Sequence, residues 1–407
     1  MQCGLLGRKL GHSYSPQIHA LLSNYSYDLF ETEPQDLESF LKNANFQGLN
    51  VTIPYKKAVI EFCDHLSPEA LKLGAVNTII KASDGSLSGH NTDYYGFQYM
   101  LRKSGLNVTG KKVLVLGSGG AAVTVSAVLN LVGAIPVIIS RHGENNYQNL
   151  HLHEDAAAIV NATPVGMYPD TGISPVKISD FPSLEGVLDL IYNPARTQLL
   201  LDAEMRGLIA VNGLWMLVAQ AKMSAELFTG QAIPEDIIDT IYSKLCTKMK
   251  NIVLIGMPGC GKSTIGKLLA KQLDKNFVDV DTYIEQIANK TIPTIFNEDG
   301  ENLFRKLETQ ALNELGKQSG LVIATGGGCV TQERNYPLLH QNGYIVWIKR
   351  DLTQLPIDGR PLSQNISLQT MFQQRQSSYE SFADYTVFND TTPEEIADLI
   401  AALEDKT

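Results

Sequence analysis

Two stretches of this chain join an apolar, strand-like run to a glycine-rich turn and then to helix-like sequence, and those turns hold residues suited to binding phosphate. In the second half, Gly256, Met257, Pro258, Gly259, Cys260, Gly261, Lys262 and Ser263 fit GxxxxGK[ST] directly after NIVLI. Glycines there let backbone N–H groups wrap phosphate oxygens, Lys262 can reach the terminal phosphates, and Ser263 can ligate magnesium. Nucleotide binding is expected at this loop. In the first half, Gly117, Gly119 and Ala122 follow VLVLG in the looser form GxGxxA, which suits a dinucleotide turn but also arises in turns that bind nothing. Asp279 and Asp281 lie two apart in FVDVD and share one face if that run is extended. They are either a solvated strand end or part of what selects the phosphate acceptor. Cys260, beside Lys262 at a helix N-terminus, is reactive if its thiol is exposed and an inert filler if it turns inward.

The elements that position these residues are legible from the same runs. Strand, tight turn and helix in succession belong to parallel sheets whose crossovers cover both faces, so both halves are expected to be α/β. At 407 residues the chain exceeds one hydrophobic core. About a hundred residues of alternating short strand and helix signals precede the first turn, and PEDIIDTIYSKLCTKMK grows polar and basic just before Asn251, which marks residues 244–250 as a linker. Composition, at 44% hydrophobic and 19% charged, is that of a globular protein. No apolar run is long enough for a membrane span, and the first residues have neither a secretory nor an import pattern, so no membrane association and a cytoplasmic location are expected. A formal charge of −10 argues against sequence-independent binding to nucleic acid. The five cysteines form no CxxC pair and lie beside no histidine at zinc-ligand spacing, so free thiols are expected.

Beyond the phosphate loop, Phe304, Arg305 and Glu308 in FRKLE, the run Gly326, Gly327, Gly328 after LVIAT, Arg360 in GRPL, and Arg375 with Tyr379 in RQSSY follow in order. With the loop, they make residues 251–407 resemble the shikimate kinase family. The resemblance implies that Asp279 helps hold magnesium together with Ser263, that Asp281 accepts the proton of the acceptor hydroxyl, and that Arg305 and Arg375 clamp the substrate carboxylate. It further implies that Gly326, Gly327 and Gly328 approach the substrate, that Phe296 walls the same pocket, and that Lys262 and Arg360 act on the transferring phosphoryl group. ATP contacts are implied at Gly256, Gly259, Gly261, Lys262, Ser263 and Thr264. The sequence departs from the family between Asp351 and Arg360, where an additional arginine usual in the family is missing.

In the first half, HSYSPQIH, NVTIPYK, GAVNT, GHNTD, NATPVGM and GLWMLVAQ resemble the shikimate dehydrogenase family over roughly residues 1–240. Reducing a ring ketone needs a hydride on one side and a proton donor beside the oxygen, which a lysine paired with an aspartate can supply. The resemblance places Lys56 and Asp93 in that role. It implies that Ser13 and Ser15 bind the substrate carboxylate, that Thr52, Asn77 and Gln220 contact ring hydroxyls, and that Tyr192 lies nearby. Dinucleotide contacts are implied at Gly117, Gly119, Gly120, Ala121, Ala122, Arg141, Asn161, Thr163, Gly213 and Met216. VIISRHGEN offers Arg141 and no carboxylate at the end of the second strand, which favours the 2′-phosphate of NADP over NAD. The stretch from Arg141 to Asn161 is shorter than usual in the family.

The expected architecture is therefore an N-terminal α/β substrate domain at 1–101, completed by helices at about 214–243, a Rossmann-like NADP domain at 102–213, a linker at 244–250, and a P-loop kinase domain with a parallel sheet at 251–407. The expected activity is reduction of 3-dehydroshikimate with NADPH followed by phosphorylation of shikimate with ATP and Mg2+. Partners are expected to be these small molecules, with monomer and homodimer both open. Alternative readings are a quinate-preferring dehydrogenase joined to the kinase, and a metabolite-binding regulator with an inactive kinase-like half.

Overall fold

The apolar runs of the sequence become the inner strands of three sheets. The structure, a computed structural model, describes residues 1–11, 13–355 and 367–404. It divides into two units, the first made of Met1–Gly166, Ile173–Tyr192 and Leu199–Lys244, the second of Met167–Gly172, Asn193–Gln198 and Leu245–Thr407.

The first unit holds two sheets. The N-terminal one contains β1 (Gln2–Gly7), β2 (Ser26–Glu31), β3 (Gly48–Val51), β4 (His65–Leu66), β5 (Thr78–Lys81) and β6 (Leu87–His90), in the order β2-β1-β3-β5-β6-β4. β1 is parallel to β2 and β3, while β5 runs antiparallel to β3 and β6. Leu6, Leu49, Val59, Val76 and Ile79 anchor its core. Helix Leu214–Thr229 packs against β3 and β5 and against helices Ser15–Leu22 and Asp93–Ser104, so the end of this unit completes its beginning.

The second sheet is all parallel: β7 (Lys112–Leu116), β8 (Ile135–Ile139), β9 (Ala158–Asn161), β10 (Gly186–Asp189) and β11 (Ile209–Val211), ordered β11-β10-β9-β7-β8. β7 has β9 on one side and β8 on the other, so strand order reverses at its C-terminal end, where open sheets of this kind bind ligands. β8 is the sheet edge. The short stretch after it supplies a bridge between Ser140 and Asn146 and a turn at Leu150–His153 rather than a further strand.

The second unit has one parallel sheet, of β12 (Asn251–Ile255), β13 (Asn276–Asp279), β14 (Leu321–Ala324), β15 (Gly343–Lys349) and β16 (Tyr385–Phe388), ordered β13-β14-β12-β15-β16. Every residue of β12 and β14 is buried, which is why these strands read as continuous apolar runs and not as alternation. Order again reverses at the C-terminal end of the first strand, β12, where the phosphate loop begins. Segment Asn193–Gln198 belongs to this unit: the Ala195 N–H donates to Asn342 Oδ1 at 2.7 Å, and Arg196 donates to the carbonyls of His340, Gln341 and Gly343. The stretch read as a linker is helical as far as Met249, within helix Ile237–Met249, and the unit boundary falls there between Lys244 and Leu245.

Candidate active sites

In the first unit, the turn after β3 and the N-terminus of helix Asp93–Ser104 bring Lys56 and Asp93 together. Lys56 Nζ donates to Asp93 Oδ2 at 2.6 Å, with the lysine side chain 30% exposed and the aspartate 13%. A carboxylate in the first turn of a helix is favoured by the helix dipole. The pair is thus ordered yet reachable from solvent, as proton exchange with a bound ligand requires. Asn77 follows from the next loop: its Oδ1 accepts the Thr92 N–H at 2.7 Å and its Nδ2 donates to Thr92 Oγ1 at 3.0 Å. Gln220 joins from helix Leu214–Thr229, its Oε1 accepting from Thr92 Oγ1 at 3.4 Å. That approach depends on Gly96, because a Cβ there would press on the Met216 carbonyl at 2.7 Å and on Gln220 Cβ at 3.0 Å. Ser13 Oγ accepts the N–H of Ser15, the buried first residue of helix Ser15–Leu22. Thr52 donates its backbone N–H to Leu6 O, which fixes the start of the Lys56 turn. The Tyr192 ring meets the Tyr14 ring edge-on at 6.0 Å, and burial pushes its hydroxyl pKa up.

The residues expected to bind the dinucleotide gather at the reversal point of the second sheet. Gly117 has φ +110° and passes the Ala162 carbonyl so closely that a Cβ would stand 3.0 Å away. Gly119 and Gly120 open helix Gly120–Leu131 and face clear space, with nothing within 4 Å of where their Cβ atoms would lie. An open backbone cradle at a helix N-terminus suits a pyrophosphate. Ala121 follows in the first turn, and Ala122 is fully buried, a small residue that lets the helix pack on the sheet. Asn161, fully buried at the end of β9, is locked by Asp189 at 3.0 Å and accepts from Thr163 N–H and Oγ1. A Cβ on Gly213 would collide with the Leu190 carbonyl, and Met216 lies one turn further on. Arg141 is exposed just beyond β8.

In the second unit the phosphate loop links β12 to helix Lys262–Gln272. Gly256, Gly259 and Gly261 all have positive φ, and a Cβ on Gly256 would strike the Ile348 carbonyl, so side chains are barred from the curl itself. Lys262 is 8% exposed and folds over the loop, donating to the Gly256 and Met257 carbonyls at 2.8 and 3.0 Å. Ser263 Oγ donates to Asp279 Oδ2 at 2.6 Å. Asp279 also caps helix Val280–Ala288, its Oδ1 accepting from the N–H groups of Asp281 and Thr282. One hydroxyl and one carboxylate side by side, next to a phosphate cradle, fit magnesium, which keeps waters and phosphate oxygens in most of its positions. Among the described residues no group of three or more His, Cys, Asp or Glu forms a metal cage of its own.

Beside the loop lies a cavity of about 540 Å³ lined by Lys262, Thr264, Asp281, Phe296, Arg305, Glu308, Gly326 to Gly328 and Arg375. Asp281 Oδ1 and Glu308 Oε1 are buried without hydrogen-bond partners, and both converge on Gly326, at 2.9 and 2.7 Å from where its Cβ would be. Burial, with Asp279 adding to it, raises the Asp281 pKa above the usual carboxylate range, and burial does the same for Glu308. Arg305 is held by Glu308 at 2.7 Å and by Glu301 at 3.0 Å, and its guanidinium fills the space a Cβ on Gly328 would need. Arg375 Nη1 and the Tyr379 hydroxyl both donate to the Gly327 carbonyl, at 3.1 and 2.5 Å. The Phe296 ring packs 4.7 Å from Phe304. Arg360 lies outside the described residues.

A sequence model for the shikimate dehydrogenase substrate binding domain matches residues 5–79, and one for shikimate kinase matches residues 258–404. A shikimate dehydrogenase (NADP(+)) from Clostridium perfringens (strain 13 / Type A) is 37% identical over 265 residues, spanning 60% of this chain and 97% of that protein. The chain belongs to the shikimate dehydrogenase family. Among solved structures of this family's members, a chorismate mutase/shikimate 5-dehydrogenase fusion protein from Clostridium acetobutylicum matches with TM-score 0.57 and 38% identity, over 60% of this chain and 96% of that one. The shikimate 5-dehydrogenase of Thermus thermophilus, in complex with NADP(H) and shikimate, matches with TM-score 0.55 and 31% identity, over 60% and 99%. The remainder of the chain carries a shikimate kinase domain.

Several residues with no role expected from the sequence hold the two candidate sites in shape. Asn50 Nδ2 donates to Ser224 Oγ and Thr78 Oγ1, and Ser224 meets Thr92, so a buried polar chain ties the Gln220 helix to the Asn77 strand. Asn50 and Thr92 stand inside the strings NVTIPYK and GHNTD, which was the available signal; Ser224 has none. Glu308 is fully buried against Arg305, and removing one partner of such a pair costs ~3–5 kcal/mol. Cys260 has 0% exposure, with Sγ turned under the loop toward Gly256. The inward alternative therefore holds, and iodoacetamide is expected to leave Cys260 unmodified with or without MgATP, as peptide mass mapping will record.

Proposed function

We propose that this chain is a bifunctional enzyme that reduces 3-dehydroshikimate to shikimate in its first unit and phosphorylates shikimate in its second. The Lys56–Asp93 pair at 2.6 Å carries the first assignment. NADPH, when bound, supplies the hydride. Lys56 would deliver the proton to the ketone oxygen, with Asp93 holding the ammonium in place and its charge balanced. Ser13 and Ser15 would bind the carboxylate, and Thr52, Asn77, Gln220 and Tyr192 would orient the ring. Gly117, Gly119, Gly120, Ala121 and Ala122 would cradle the pyrophosphate, with Asn161, Thr163, Gly213 and Met216 as further dinucleotide contacts and Arg141 at the 2′-phosphate.

In the second unit, magnesium bound near Ser263 and Asp279 would neutralise phosphate charge. Gly256, Gly259, Gly261 and Thr264 would hold the phosphates, and Lys262 would swing from the loop carbonyls to the transferring group. Asp281 would take the acceptor proton, while Arg305 and Arg375 fix the carboxylate against Gly326, Gly327, Gly328 and Phe296. A role for Arg360 on the phosphoryl group stays with the resemblance.

Purified chain given 3-dehydroshikimate, NADPH and MgATP should consume NADPH and form shikimate 3-phosphate. NADPH oxidation without a phosphorylated product would sink the kinase half. NADP is expected to exceed NAD in kcat/KM, and Arg141→Ala should erode that preference by about tenfold through loss of the charged contact. A preference for NAD in the unsubstituted chain would overturn the role given to Arg141. The chain contains no helix among the described residues long and apolar enough to cross a membrane. We place it in the cytoplasm on the nature of its substrates.

A further inference from the structure

Tyr379 does not line the acceptor cavity, yet it is fully buried and bonded to a residue that does. Helix Leu368–Phe382 carries Arg375 and Tyr379 one turn apart, the spacing that puts two side chains on one face. The Tyr379 ring stacks on Trp347 of β15, with ring centres 5.4 Å apart and planes 18° apart. Held in that way, its hydroxyl donates to the Gly327 carbonyl at 2.5 Å, and the same oxygen lies 3.9 Å from Met257 Sδ in the phosphate loop.

Gly327 itself rests on that loop. A Cβ there would stand 2.6 Å from Pro258 Cδ and 3.0 Å from the Pro258 nitrogen, so only glycine lets the two backbones come this close. The run Gly326 to Gly328 and the phosphate loop therefore meet at Gly327, Met257 and Pro258, and the Tyr379 hydroxyl sits at the junction. Arg375 Nη1 is a second donor to the Gly327 carbonyl, at 3.1 Å, but it also lines the cavity, where an anionic ligand would compete for its guanidinium. The hydroxyl is outside that competition. Burial holds its pKa far above the usual tyrosine value, so it stays a donor.

We infer that the Tyr379 hydroxyl is a positioning group for phosphoryl transfer, holding the acceptor-binding glycine run at a fixed distance from the phosphate loop. The inference rests on the reading of the second unit as a shikimate kinase. Transfer of a phosphoryl group is mostly a matter of placing donor and acceptor in line, and a misplacement of about 1 Å costs on the order of 10²-fold in rate. Tyr379 acts through Gly327 and touches neither reactant, so its loss disturbs the alignment of the bound pair more than the binding of either one.

Tyr379→Phe in the full chain keeps the ring and its stack on Trp347 and removes only the hydroxyl. Its kcat for shikimate phosphorylation should fall about 10- to 100-fold, with KM for ATP and for shikimate each within roughly threefold and the dehydrogenase activity unaltered. A role in packing alone would lower the melting temperature and spare kcat. Hydrogen exchange supplies a readout that needs no turnover: pyrophosphate bound in the phosphate loop should slow exchange in the peptide carrying Gly326 to Gly328, and Tyr379→Phe should abolish that slowing. Normal kcat in the variant, or a loss confined to KM, overturns the inference. If the unsubstituted chain does not phosphorylate shikimate, the kinase reading falls and exchange alone decides the link between the two loops, which equal slowing in both proteins would refute.

Discussion

Lys56→Ala should lower shikimate oxidation and 3-dehydroshikimate reduction by about 10²–10⁴-fold, the range that a positioned general acid or base contributes. The loss should appear in kcat, because substrate binding is proposed to rest on other groups: Ser13 and Ser15 at the start of one helix, and Asn77 and Gln220 around Thr92. Asp93 would be left part-buried without its ion-pair partner, so a modest fall in thermal stability should accompany the substitution. Kinase turnover in the same preparation should stay within about threefold of normal, because the phosphate loop belongs to a different unit. Steady-state kinetics of both reactions on one sample decide the matter. Parallel loss of both activities in a folded variant would contradict two independent sites.

Asp281→Asn should reduce kcat for shikimate phosphorylation by about 10²–10⁴-fold while KM for ATP moves by no more than roughly threefold. Asp281 lines the cavity with its Oδ1 buried and without a partner, and it is Asp279, not Asp281, that bonds Ser263. The amide keeps shape and hydrogen-bonding capacity but cannot take a proton, so the substitution isolates proton acceptance from positioning. A raised pKa, caused by burial, makes Asp281 a stronger base than a solvated carboxylate. Retained kcat in this variant would leave Asp281 as a binding group only. Its dehydrogenase activity serves as the internal control for folding.

The phosphate loop, both glycine turns and the α/β class were legible in the sequence because each depends on local physics. Apolar strands buried on both faces, glycines at positive φ and a following helix are contiguous in the chain, and Gly117, Gly256, Gly259 and Gly261 all have the positive φ that side chains disfavour. The pairing of Lys56 with Asp93 and of Ser263 with Asp279 was legible only through family strings, since nothing local brings residues 37 or 16 positions apart into contact. What tertiary structure alone decided is the support around them. Ser224 reaches Asn50 and Thr92 across more than a hundred residues, and it does so because helix Leu214–Thr229 returns to the N-terminal sheet. The convergence of Asp281 and Glu308 on Gly326 follows from the packing of helix Gly300–Gly316 against helix Val280–Ala288, and the inward turn of Cys260 from the packing of its loop. Sequence patterns report which faces are buried and which turns are tight; the partners that meet across those faces are set by how helices and sheets pack, and packing is not periodic in the chain.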